Sequence, residues 1–320
     1  MEILRSDSLS AVFTVRRPPF TLCLAAAMIL GVQVSAISAE TLRPAQRIVS
    51  LAPHLTELAF SAGAGDRIVG TVEYSDHPAA ARRIPRIGDA FRVDLERVLA
   101  LRPDVVLVWE SGTPVQTIKR MKALGLEVIP IATSRLKEIA AALGTIGDIA
   151  GTQVAASQAA MQFTTQISSL RNRYQGRAPV SVFVQVNDRP IYTINSAQIM
   201  SEVVELCGGR NVFAQLNELA PIVSIEAVIA ANPQVILATN DTVPDAASHW
   251  RRWRHIAAVK TDNVYTISSD DVARATMRLA AGAAHVCRTL DTARERYRKE
   301  GNGDSPHFQS KGQKNGDSPR

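Results

Sequence analysis

The sequence predicts an α/β protein built as two similar lobes, each with a mainly parallel central sheet, joined by one long helix. Three observations predict it. Short apolar runs alternate with helical stretches from Arg47 to about Arg298. The second half of that span repeats the plan of the first. Between the halves lies Thr152 to Tyr174, rich in Ala and Gln and free of Gly and Pro.

In the first half, Arg47–Leu51 predicts a strand and His54–Ala62 a helix ended by Gly63. Strands are expected at Arg67–Val72, Val105–Trp109 and Glu127–Ile131, with helices at Val115–Leu124 and Leu136–Ala150. Apolar runs bounded by helices read as buried parallel strands. In the second half, Val180–Val186, Val235–Ala238 and Asn263–Ile267 predict strands. Helices are expected at Ala197–Leu206 (ended by Gly208-Gly209), at Ile222–Ala231 and near Met277–Arg298.

The repeat extends to single residues. Asp94-Leu-Glu-Arg-Val-Leu-Ala-Leu-Arg-Pro103-Asp-Val-Val-Leu107 matches Ser224-Ile-Glu-Ala-Val-Ile-Ala-Ala-Asn-Pro233-Gln-Val-Ile-Leu237. A capping residue opens each short helix, a proline closes it, and a buried strand follows. Glu57 lies six residues before Gly63, and Glu202 six before Gly208. Matching units in the same order argue for two similar lobes. As a helix, Thr152–Tyr174 spans roughly 35 Å, enough for an interlobe spine; a surface helix of one lobe fits the same pattern. The expected organisation is residues 40–151 for the first lobe, 152–175 for the connecting helix and 176–298 for the second lobe.

Arg16 and Arg17 followed by the apolar run Phe20–Val34 read as a signal peptide over residues 1–39, with Ala36 or Ala39 at the cleavage site. The run is short for a membrane span, though an uncleaved anchor has the same ingredients. Residues 299–320 repeat Asn-Gly-Asp-Ser-Pro and are too polar to bury a core, so they are expected to form a disordered tail. Residues 1–39 contribute +1 and residues 298–320 contribute +2 to the formal charge of +6, which leaves +3 on the body. Its basic residues form no stripe, which argues against nucleic-acid binding. After removal of the leader with Cys23, two cysteines remain, Cys207 and Cys287. An even pair in an exported chain reads as a disulfide, worth roughly 4 kcal/mol on the chain-entropy model; two free thiols are the alternative in a reducing compartment.

A cleft between two lobes is the default place for a ligand. Tyr74, Phe91, Trp109 and Tyr192 each fall just after an expected strand, where open α/β sheets bind ligands, and flat aromatic surfaces suit a large planar molecule. Glu96 and Glu226 occupy equivalent positions in the first turns of the repeated helices, which suits helix capping. The same matched pair, one acid per lobe, also suits docking on an arginine from each half of a dimeric partner. No nucleophile elbow, phosphate-binding loop, dinucleotide fingerprint or His-Glu-x-x-His motif is present, so no catalytic residue is assigned. His54, His77 and Asp76 could in principle gather a zinc or manganese ion, but dispersed histidines are more often surface or cap residues, so no metal site or cofactor is expected.

Four segments carry a resemblance: Arg47-Ile-Val-Ser-Leu-Ala-Pro-His-Leu-Thr-Glu57, Glu-Tyr74-Ser-Asp-His-Pro78, Asp-Leu-Glu96-Arg-Val-Leu-Ala-Leu-Arg-Pro-Asp, and Glu-Leu-Cys207-Gly-Gly-Arg-Asn-Val-Phe213. From Arg47 to about Arg296 the chain resembles the class III periplasmic binding proteins of ABC importers, most of all the vitamin B12-binding branch. The resemblance implies the helical-backbone metal-receptor type of fold, a monomer in the periplasm, and no enzymatic activity. It implies that the transported ligand is cobalamin or a related metal chelate, handed to an ABC permease dimer at the inner membrane. It places Tyr74, Trp109, Tyr192, Asp270 and Arg274 at ligand-contacting positions, Glu96 and Glu226 at permease-docking positions, and Cys207 and Cys287 at the branch's disulfide. Two cleft tryptophans of the best-known B12 binders are Ala90 and Ala220 here, with Phe91 adjacent, and Arg274 is followed by Ala-Thr-Met-Arg278. A ferric siderophore or haem is therefore the alternative ligand, with Arg189, Arg274 and Arg278 as candidate partners for an anionic chelate.

Overall fold

A computed structural model describes residues 43–89 and 92–303. The expected leader, Phe91 and most of the expected tail lie outside the described residues. The described residues pack as one compact unit.

The first lobe runs β1 (Ile48–Ser50), α1 (Pro53–Ser61), β2 (Ile68–Thr71), α2 (Leu95–Ala100), β3 (Val105–Trp109), α3 (Val115–Ala123), β4 (Val128–Ile131) and α4 (Leu136–Ala150). Helix α5 (Gln153–Tyr174) follows. The second lobe runs β5 (Val180–Gln185), β6 (Asn187–Asp188), β7 (Ile191–Tyr192), α6 (Ile199–Leu206), β8 (Gly209–Asn211), α7 (Ile225–Ala231), β9 (Val235–Thr239), α8 (Ala246–Trp250), α9 (Ala257–Lys260), β10 (Val264–Ile267), α10 (Ser269–Val272) and α11 (Leu279–Gly303).

The sheets have the same topology. The first has the order β2-β1-β3-β4 and the second β8-β5-β9-β10, and every pair in both is parallel. In each lobe the first strand pairs with the second and third, and the third with the fourth. The repeat read from the sequence is thus a repeat of connectivity. Strand β8 was hidden because Gly-Arg-Asn carries no apolar pattern. It forms because Gly209 lets the chain pass close to Val204 and Leu290, where a Cβ would stand under 3 Å from each.

The repeated helices follow their capping chemistry. Asp94 Oδ1 accepts from the Arg97 amide at 3.1 Å, and Ser224 Oγ from the Ala227 amide at 3.2 Å. Helix α1 begins on Pro53, whose missing N–H would have had no partner in the first turn. Helix α7 starts at Ile225 rather than Ile222, because Ser224 is its cap.

Helix α5 has 22 residues, about 33 Å of helix, and buries Ala156, Phe163, Ile167 and Tyr174. It packs on α1 and α4 of the first lobe and on α6 and α11 of the second. One apolar cluster accordingly runs through both lobes, from Leu55 and Ile146 through Phe163 to Val204 and Leu290. The last helix continues past Arg298 to Gly303, beyond the expected start of the tail, where Lys260 Nζ pairs with Glu300 Oε1 at 2.9 Å. Cys207, at the C-cap of α6, is bonded to Cys287 of α11, with their Cα atoms 4.7 Å apart. Among the described residues no helix is long and apolar enough to cross a membrane.

Candidate ligand-binding cleft

The C-terminal ends of the parallel strands of both lobes open on one cleft of about 470 Å³. The first lobe supplies Pro53 and His54 from the start of α1, Trp109 and Ser111 from the end of β3, and Thr133 and Ser134 after β4. The second supplies Ala197, Gln198 and Ile199 at the start of α6, Leu219 before α7, and the segment Ala273–Ala275. This is where open α/β sheets gather ligands. A hollow of similar volume, about 500 Å³, lies elsewhere on the second lobe beside Arg177 and Arg294. Its Arg294 is spent on Asp291 at 2.8 Å and on the carbonyls of Ala178 and Cys207, so it serves to join elements of that lobe.

The floor of the cleft is polar but uncharged. His54 Nε2 lies 3.1 Å from Thr133 Oγ1, and its ring meets Trp109 edge-on at 5.2 Å. Burial, with a smaller push from the Arg274 charge, lowers the His54 pKa to about 4, so the imidazole is neutral at physiological pH. Trp109 is held over the turn that follows β3. A Cβ on Gly112 would fall 1.8 Å from the indole, so only glycine lets the ring lie there. The Trp109 Nε1–H is buried and has no acceptor among the described residues.

The rim is ionic, and its charges cross between the lobes. Glu57 on α1 is 3% exposed. It accepts from Arg278 Nη2 at 2.8 Å and Nε at 3.1 Å, a two-point pairing, and Arg274 Nη1 lies 3.4 Å away. Arg274 Nη1 also reaches Asp76 Oδ1 at 3.2 Å and the Tyr74 carbonyl at 3.3 Å, while its Nε pairs with Asp270 at 3.0 Å. Arg278 Nη1 meets Asp271 at 3.2 Å. Partial burial raises the Asp76 pKa, but the hydrogen bond and charge of Arg274, helped by its own backbone amide and by Arg82, outweigh that. Its carboxyl is held below the usual carboxylate range.

Tyr74 stands at this rim, 75% exposed and at φ 63°, a backbone conformation that a bulky residue rarely adopts. Trp109 lines the cleft, and Asp270 and Arg274 meet at its edge. Tyr192, half-buried on β7, bridges to Ile222 and does not line the cavity. Ala220 is exposed beside Leu219. Arg189 is not part of the cleft; it sits exposed on the β6–β7 turn near His249 and Arg252, paired with Asp188 at 3.6 Å. Glu96 and Glu226 are exposed and stand second in α2 and α7. Hydrogen bonds from its own amide and from Ser224 lower the Glu226 pKa, so its charge is secure. Among the described residues, no group of three His, Cys, Asp or Glu is placed to hold a metal ion.

From the sequence, Glu57 has no site role, Arg278 enters only as a candidate partner for an anionic chelate, and Asp76 only in a candidate metal cluster. A signal existed: an arginine directly precedes a leucine that opens each lobe's last helix, at Arg135-Leu136 and Arg278-Leu279, just as Glu57 and Glu202 precede equivalent glycines.

Two lobes of one topology, joined by a single helix and opening a shared cleft at their strand ends, define the class as a two-lobed solute-binding protein. The chain belongs to the periplasmic binding protein family, whose model matches residues 48–270. It is 34% identical over 253 residues to a vitamin B12-binding protein of Vibrio cholerae, covering 79% of this chain and 91% of that one. A vitamin B12-binding protein of Yersinia pseudotuberculosis is 32% identical over 267 residues, covering 83% and 92%. Among solved structures it is similar to the periplasmic vitamin B12 binding protein BtuF of Vibrio cholerae, with a TM-score of 0.74 and 34% identity over 79% of this chain and 99% of that one. The periplasmic haem-binding protein BhuT shares the fold, with a TM-score of 0.70 at 20% identity, covering 77% and 98%.

Proposed function

We propose that this chain captures cobalamin or a related corrinoid in the periplasm, after export on a leader within residues 1–39, and hands it as a monomer to the permease of an ABC importer. The observation that carries the reading is the charge state of the cleft. The floor of His54, Trp109 and Thr133 is uncharged, and both rim arginines already face carboxylates. An amide-fringed, planar corrinoid suits such a site, and the curated relatives that cover the chain are named for vitamin B12. Tyr74, Trp109 and Phe91 would supply flat contacts and Tyr192 a further one at the edge. Asp270 and Arg274 would bond to polar groups of the ligand, and the unpaired Trp109 Nε1–H would donate to one of its amide carbonyls. The ligand is transported rather than converted, so no cofactor is involved.

Glu96 and Glu226 would dock on the two halves of the permease. Their exposure and their equivalent places in the repeat support that role. Calorimetric titration with cyanocobalamin tests the ligand, with saturable binding expected at micromolar concentration. Glu96→Arg with Glu226→Arg should keep that binding and abolish stimulation of the importer's ATPase. No heat with cyanocobalamin, and binding of haemin or a ferric siderophore instead, overturns the corrinoid reading. Intact stimulation reduces the two glutamates to helix-terminal charges.

A further inference from the structure

The rim network holds more negative than positive charge. Among the described residues, Glu57, Asp76, Asp270 and Asp271 pair with Arg274 and Arg278, and Arg82 adds one further positive charge near Asp76. Arg274 is the group at the cleft wall that an anionic ligand would seek, yet its guanidinium is shared among Glu57, Asp76 and Asp270. Glu57 is buried and committed mainly to Arg278, and Asp270 precedes Arg274 by four residues in the same segment. Asp76 differs from each: unlike Asp270 it comes from the opposite lobe, unlike Glu57 it is about half exposed, and among the described residues its carboxylate pairs with Arg274, with its own backbone amide and Arg82 nearby.

We infer that Asp76 is a specificity-determining residue: by neutralising Arg274 across the cleft, it selects a ligand without peripheral carboxylates and rejects anionic tetrapyrroles and chelates. The inference rests on the corrinoid reading for the favoured ligand, but the rejected class follows from the charges alone. A carboxylate of the ligand would have to displace Asp76 from Arg274 and then stand beside Asp76 and Asp270 as a like charge. Like charges brought side by side suppress the wrong ligand, a repulsive element that acts in addition to any loss of contact.

The test compares two probes, cyanocobalamin and haemin, the second carrying two propionates. Asp76→Asn keeps size and hydrogen bonding and removes one negative charge. It should raise haemin affinity about tenfold, the effect of one unit charge at a few ångströms in a partly screened site, and leave cyanocobalamin within about threefold. Asp271→Asn removes the same charge from beside Arg278 rather than Arg274 and should move haemin by less than about threefold. Adding Arg274→Gln to Asp76→Asn should abolish the gain. A merely structural role for Asp76 would weaken both ligands together, which overturns the inference. So would an unchanged haemin affinity, or an equal gain from Asp271→Asn. Failure of the wild-type chain to bind cyanocobalamin rejects the corrinoid reading alone; the haemin gain of Asp76→Asn over Asp271→Asn then still decides the role of Asp76.

Discussion

The two lobes grip each other through the same device used twice, and the two copies differ in a telling way. Glu57 on α1 of the first lobe reaches Arg278, the residue before α11 of the second. Glu202 on α6 of the second lobe reaches Arg135, the residue before α4 of the first, at 3.5 Å, and accepts from the Leu136 amide at 2.8 Å. Each glutamate sits in its lobe's first helix and each arginine immediately before its lobe's last. The Glu202 copy is more open, with its arginine side chain 42% exposed against 26% for Arg278. The Glu57 copy also carries Arg274, Asp270 and Asp271. These come from residues 268–278 between β10 and α11, where the first lobe has only residues 132–135 between β4 and α4. What the repeat shares is the clamp between the lobes; what one lobe adds to it lies at the cleft.

The comparison breaks most readily at the two glutamates. Glu57→Gln leaves Arg278, and in part Arg274, without their buried counter-charge, and should cost about 3 kcal/mol in chemical denaturation. Glu202→Gln removes a half-open pair and keeps an acceptor for the Leu136 amide, so it should cost about 1 kcal/mol or less. Equal losses would show that burial does not separate the two clamps.

The floor of the cleft offers a second contrast. On the register that aligns Glu57 with Glu202, His54 corresponds to Ile199, and both line the cavity. Only the first lobe therefore carries a titrating group there. His54 has a pKa of about 4 in the folded protein and about 6.5 unfolded. The unfolded chain binds the proton first, so stability is lost as pH falls through 6.5 and the loss continues until about pH 4. From pH 7 to pH 5 the protein should lose about 2 kcal/mol through this group. His54→Gln, which can still bond to Thr133, should remove that part of the slope. Denaturation curves at the two pH values decide it, and an unchanged slope in the variant would assign the loss elsewhere.

Much of this architecture was legible in the sequence, and for identifiable reasons. Val105–Trp109 and Leu136–Ala150 are found at the expected residues because buried strands and capped amphipathic helices impose their own periods. The Cys207–Cys287 bond was legible as an even pair. What was not legible depends on contacts between distant segments. Glu57 and Arg278 are 221 residues apart, and nothing local marks either as the other's partner. Asp76 reads as a loop residue until Arg274 is brought to it from 198 residues away. Strand β8 has no pattern of its own and is defined by the edge of β5 that it completes.

The smallest expected effect isolates the backbone from everything else. Both repeated helices end in a residue of positive φ just before a proline, Arg102 at 44° and Asn232 at 42°. Asn tolerates this left-handed region because its short polar side chain bonds locally, whereas Arg pays the ordinary Cβ crowding. The second lobe thus holds the better-suited residue at the same turn. No partner for the Arg102 side chain is seen among the described residues, while Asn232 Oδ1 accepts from the Ala257 amide at 2.8 Å. Arg102→Asn should therefore stabilise the protein by about 0.5 kcal/mol with no change in ligand affinity. Asn232→Arg should destabilise by more than that, because it also leaves the Ala257 amide unpaired. If Arg102→Asn gives no gain while Asn232→Arg is costly, the side-chain bond, and not the backbone conformation, distinguishes the two turns.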